Sequence, residues 1–305
     1  MNSSSEQANS FPTLADDRSM PSRQSLLLCA ALAILLGLIF WEAIHEMLYN
    51  YGKKDSYYSH GYIVPFISLY FAWKQRAELQ NAARKPATLG LWIIALSCLM
   101  VVLGDFLEFF VIQQFALVSA IAGIVMAIWG KEHARILWFP LAFLLFMIPM
   151  PGSITHALVL HVKILAIDCT VWVARLFSLP MLRDGSYIAF GNDRLLVGEV
   201  CGGLRSLIAL LALGSVIGYM SKASNWARIT LFLVSAPVAI FANVARIFFL
   251  CIVGYIWGSS AATGKVHDIS GIAIYAIAAV ALSCVEFLFR AAGGRQAAAE
   301  TGDTQ

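Results

Sequence analysis

Charge is scarce in this 305-residue chain. Asp, Glu, Lys and Arg make up 13% of it and hydrophobic residues 60%, where a soluble domain carries about 25% charged residues. Water is thereby excluded as the main solvent. The formal net charge is only +3 and no Lys/Arg block exceeds a few residues, so no nucleic-acid partner is expected. Cysteine is sparse and unpaired: Cys29, Cys98, Cys169, Cys201, Cys251 and Cys284 form no C-x-x-C. This argues against a disulfide framework, a zinc ribbon or a thioredoxin-like redox pair. No His/Asp/Glu cluster has ligand spacing, so neither a metal nor an organic cofactor is expected. The basic n-region of a cleaved signal peptide is missing as well, since the first residues carry more acid (Glu6, Asp16, Asp17) than base (Arg18, Arg23). There is no internal repeat of the kind that marks many transporters.

What the chain has is apolar runs. A span needs about twenty mostly apolar residues, and eight stretches qualify, at 26–44, 60–75, 89–105, 108–129, 135–150, 204–221, 228–254 and 269–290. The expected fold is an all-α polytopic membrane protein of about eight transmembrane helices, with 1–25 a disordered cytoplasmic leader, 26–290 one membrane domain and 291–305 an unstructured tail. Between the fifth and sixth runs, Ile154–Leu179 has helix-length apolar content broken by His156, His161, Lys163, Asp168 and Arg175. An amphipathic helix in the interface is the first reading and a ninth span the alternative. Tyr187–Phe190 and Arg194–Val197 are β-prone runs around Gly191-Asn192-Asp193, which predicts a small hairpin leading into Cys201.

Basic clusters at Lys74/Arg76/Arg84/Lys85, Lys131/Arg135, Lys222/Arg228 and Arg290/Arg295 alternate with acid-bearing connections. The positive-inside rule then puts both termini in the cytoplasm and the hairpin outside. At 1.5 Å per helical residue, Cys201 lies about 31 Å outward from Lys222, Arg246 about 27 Å from Arg228 and His267 about 35 Å from Arg290. All three are expected at the outer interface. Cys201 precedes Gly202-Gly203 and an apolar run, so a helix N-terminus beside it would lower the thiol pKa; a packed small residue is the alternative. Arg246 sits in an apolar span, with Asn243 on the same face, and must meet protein or a polar cavity rather than lipid. A snorkelling structural arginine is the other possibility. Arg205 either orients the same site or pairs with an acid such as Glu199. His267 can exchange a proton near neutral pH, or serve only as a polar cap. His60 is a candidate for substrate contact.

The segments Glu199-Val-Cys201-Gly-Gly-Leu-Arg205, Asn243-Val-Ala-Arg246-Ile and His267-Asp-Ile-Ser-Gly271, in this order, resemble the exosortase/archaeosortase family, as does Ser59-His60-Gly61-Tyr62 with Pro65. Gly202 stands where much of that family has Ser. The resemblance implies a membrane-embedded cysteine peptidase or transpeptidase of the bacterial inner membrane. Its partners would be C-terminal sorting tails of the PEP-CTERM type, a short Pro-Glu-Pro-like motif before a transmembrane helix and a basic end. It further implies cleavage at the outer face through a thioester, with Cys201 as nucleophile and Arg246 and His267 as its catalytic partners. No fused soluble domain is expected after the last span. A transporter, or a scaffold of exopolysaccharide export or assembly, is the alternative reading of the same bundle.

Overall fold

The computed structural model describes residues 31, 34–54, 56–191, 193–198, 203–221 and 223–302. The chain divides into two compact units, Met1–Trp41 and Glu42–Gln305. Residues 34–39 of the first are helical. The leader expected over 1–25, and residues 26–30, 32 and 33 of the first expected span, lie outside the described residues.

The second unit begins with α1 (Trp41–Gly52), a 3-10 turn (Ser59–Tyr62), α2 (Val64–Lys74) and α3 (Arg76–Asn81). Next come α4 (Thr88–Phe106) and α5 (Phe110–Ile128), an apolar antiparallel pair. Small residues let their backbones approach. A Cβ on Gly90 would lie 2.3 Å from the Ala127 nitrogen, and Ser97 and Ser119 share a hydroxyl hydrogen bond of 2.8 Å. Their outer faces are the inverse of a soluble protein's, with Trp92 74% and Phe106 83% exposed. Apolar surface of that extent needs lipid or another protein against it.

The fifth expected span, 135–150, is broken into α6 (Lys131–Ile136), α7 (Trp138–Phe143) and a 3-10 turn (Leu144–Met147). Pro140 is the cause: it has no N–H to give the Ile136 carbonyl, so one helix ends there and another begins. The second expected span is likewise split, into the turn at Ser59–Tyr62 and the eleven residues of α2.

After α8 (Gly152–Leu176) come β1 (Met181–Asp184), β2 (Tyr187–Phe190) and β3 (Asp193–Leu196), an antiparallel meander in that order. Asp184 pairs with Tyr187 and Phe190 with Asp193, so two-residue turns join the strands. The expected hairpin is present, and β1 extends it to three strands. The period-2 alternation turns Ile188 and Phe190 inward. They pack with Met181 against Ile167 and Val171 of α8 and against Ile247, Leu250 and Cys251 of α10 (Asn225–Trp257). α9 (Leu204–Met220) and α11 (Lys265–Gly302) complete the bundle. α11 runs on through 291–302, where an unstructured tail was expected; the Ala-rich sequence there is the strongest helix former.

Among the described residues five helices, not eight, are long and apolar enough to cross a membrane: α4, α5, α8, α10 and α11 up to Ala291. α9 falls just short at 17 residues. Among these, α8 is of a different kind. One end of the bundle gathers the basic connections, where Lys85 pairs with Gly130 and Tyr219 stacks on Phe139 with ring centroids 3.8 Å apart. Ser221 also donates to Glu286 Oε1 there, at 2.7 Å. The start of α8 lies at the opposite end, where it shares a cleft of about 730 Å³ with Asn50, Tyr58 and Phe110. Its last turns pack on the sheet and on the C-terminal part of α10, which is at that same opposite end. α8 therefore has the length and composition of a span, the ninth-span alternative, while both its ends lie at the sheet end of the bundle.

Candidate active site

α10 opens with Ser224, whose hydroxyl accepts from the Ala227 N–H at 3.3 Å, a side-chain cap for the first turn. The helix then runs 33 residues despite Pro237. Asn243, Arg246, Ile247 and Leu250 follow at helical spacing on the face turned to the sheet and to α11. Asn243 is 3% exposed. It abuts the start of α9: Gly203 has φ +88°, and a Cβ there would come within 2.7 Å of Asn243 Nδ2. Both the positive φ and the missing Cβ demand glycine at this junction.

Arg246 reaches α11. Its Nη2 donates to the His267 carbonyl at 3.0 Å and lies 3.3 Å from His267 Nε2. Its Nε donates to Ser270 Oγ at 3.3 Å, and that hydroxyl in turn donates to the His267 carbonyl at 2.8 Å. A guanidinium has only donors, so Nε2 accepts in this contact and the ring proton belongs on Nδ1. Nδ1 is 3.5 Å from Asp268 Oδ1. His267 is half-buried and its ring is held from both sides.

Arg205, in the first turn of α9, lies close enough to influence both His60 and Tyr275, and Tyr275 also senses Arg246. His60 is packed beside the Phe146 carbonyl, with the Tyr58 ring 6.3 Å away. Two guanidinium groups and two imidazoles are thus collected around the N-terminus of α9. Such a cluster favours a thiolate and a developing oxyanion.

Of the residues singled out from the sequence, Arg205, Asn243, Arg246, His267 and His60 belong to this one cluster. Cys201 and Glu199 lie outside the described residues; Cys201 is two positions before Gly203. Asp268, Ser270 and Tyr275 were not singled out. Their one sequence signal is spacing, since Ser270 falls one helical turn after His267 and so shares its face.

On the sheet, Asp193 is exposed. The Ser259 N–H donates to its Oδ2 at 2.8 Å, and this bond, with that from the Arg194 N–H, holds the carboxyl below the usual carboxylate range. It fastens β3 to the connection between α10 and α11.

Several apolar helices with outward-facing hydrophobic surface, enclosing a compact polar cluster at one end, define a multi-pass membrane protein. The chain matches the family described as transmembrane exosortase over residues 41–284. It belongs to that family. No curated protein and no solved structure matches it.

Proposed function

We propose that the protein is a cysteine peptidase or transpeptidase that cuts C-terminal PEP-CTERM-type sorting tails at the outer face of a bacterial inner membrane. The observation that supports this most directly is the contact of Arg246 with His267 beside the Gly203–Asn243 junction, two residues from Cys201. The gathering of Lys85, Lys131, Arg135 and Arg228 at the end away from the sheet favours that end as the cytoplasmic one.

As substrate binds, Arg246 Nη2 turns from His267 Nε2 to the scissile carbonyl, the Cys201 thiol gives its proton to the freed Nε2, and the thiolate attacks the carbonyl carbon. The C–S bond forms and the carbonyl oxygen becomes an oxyanion, which a guanidinium N–H of Arg246 stabilises. His267 then gives its proton to the leaving amine as the C–N bond breaks. Asp268, facing Nδ1, keeps the ring oriented. Water or an amine then attacks the thioester, its proton passes to His267, and the C–S bond breaks to free the enzyme.

The test is co-expression with a tagged reporter ending in such a tail, its mass followed with wild type and with Cys201→Ala. Shortening by wild type alone is expected. Full processing by Cys201→Ala would end the thiol mechanism, and no processing of any of several tails by wild type would leave transport or scaffolding as the better reading.

A further inference from the structure

Three stretches of chain, each adjoining one of the proposed catalytic residues, meet around a single cavity of about 330 Å³. Val197 and Gly198 stand just before Cys201, Ile247 directly follows Arg246, and His267 itself lines the space. We propose that this cavity is the subsite for an uncharged aliphatic side chain of the substrate, on a residue flanking the bond that is cut. The inference rests on the peptidase reading above and adds to it a determinant of specificity.

The chemistry of the wall selects the occupant. Among the described residues, His267 is the one titratable side chain that lines the cavity. Val197, Ile247, Leu250 and Ala262 are at most 2% exposed, and with Leu195 they make the half of the wall that belongs to the packed core joining the sheet to α10. An acidic or basic side chain entering here would lose its hydration against apolar core side chains and find no opposite charge among the described residues. An aliphatic one would bury apolar area, the dominant source of binding energy in such sites. At the mouth stands the exposed Thr263, its hydroxyl donating to the Ser260 carbonyl at 2.8 Å. Because His267 belongs both to the cavity and to the Arg246 contact, a peptide carbonyl held beside the histidine brings a neighbouring side chain to the opening.

The experiment uses the full-length protein in membranes and reporters whose tails carry Leu, Gly, Asp or Lys at one position at a time around the mapped cut. Wild type is expected to prefer Leu over Asp by at least about tenfold at one flanking position, the scale on which apolar pockets discriminate. Thr263→Trp, which fills the mouth, is expected to lower processing of the Leu tail and move the preference at that position alone towards Gly. Thr263→Leu, a smaller plug, serves the same purpose if the tryptophan variant does not insert. Wild type that cuts tails with Asp and Leu equally at every flanking position, or a plugged variant that keeps the wild-type preference, overturns the subsite alone. Wild type that cuts no tail overturns the peptidase reading and the subsite with it.

Discussion

The two ends of the bundle handle polar groups in opposite ways. At the basic end the charges lie in the connections and the helix turns beside them, while the helices meet through aromatic rings: Phe139 stacks on Tyr219, Phe71 meets both edge-on, and Gln75 donates to the Tyr219 hydroxyl. At the sheet end Arg246 and His267 are half-buried and in contact, and Arg205 lies near the same Tyr275 that Arg246 approaches. Charge in a short loop can serve orientation, which any Lys or Arg provides. At the sheet end it is held in fixed geometry at a cost in desolvation, which persists only where the arrangement does something.

The sharpest way to break that contrast is Arg246→Ala. Processing of a sorting tail should fall by about 10²–10³-fold, the loss seen when an oxyanion donor is removed, with membrane insertion unchanged. Arg246→Lys should recover little, since a single ammonium cannot reach both the His267 carbonyl and Ser270 as the planar fork does. Equal loss of insertion and activity would mean that the arginine is structural.

Phe139→Ala tests the other end. Removing the stacked ring should lower stability by about 3 kcal/mol, read by thermal unfolding in detergent, while the processing rate per folded molecule stays at the wild-type level. A rate that falls without a change in stability would contradict the division of labour between the ends.

Gly203→Ala should have a smaller effect, about 1–2 kcal/mol from the left-handed backbone alone, together with displacement of Asn243. Loss of processing in Gly203→Ala with the wild-type unfolding temperature retained would show that the junction positions the chemistry rather than the fold. The smallest effect belongs to Asp193. Its folded pKa is depressed by the Ser259 N–H, so the stabilisation is present above the unfolded value of about 3.9 and is lost as pH falls through the lower folded value. The protection of the Ser259 amide against hydrogen exchange, relative to an unprotected amide at the same pH, should therefore fall at acid pH in wild type and be low throughout in Asp193→Asn.

Much of the candidate site was legible from residue type and depth. Arg246 and Asn243 stood out as polar groups three apart in an apolar run, and counting 1.5 Å per residue from the basic loops brought Arg246 and His267 to one level. What could not be read was which atoms touch. The Arg246 bond to Ser270, and the tautomer that the Arg246 contact imposes on His267, depend on how α10 and α11 are rotated against each other. Gly185-Ser186, the two residues between Asp184 and Tyr187, is a two-residue hairpin signal that marks the turn into β2, while Met181–Asp184 lacks the alternation that would announce β1. The broken fifth run shows the converse: hydropathy counts carbon and is blind to the single N–H missing at Pro140.

The sequence by itself determined residence in a membrane, the positions of four of the five long apolar helices, the alternation of the basic connections and the identities of the polar residues that cannot face lipid. Each of these follows from transfer free energies that add along the chain and need no knowledge of neighbours. Only the tertiary structure decided that both ends of α8 lie at the sheet end, that 135–150 is not one helix, and that Arg205, Arg246, His60 and His267 share one cluster. Those outcomes depend on side-chain packing between segments far apart in the chain, where the rotation of one helix by a single residue changes which groups meet.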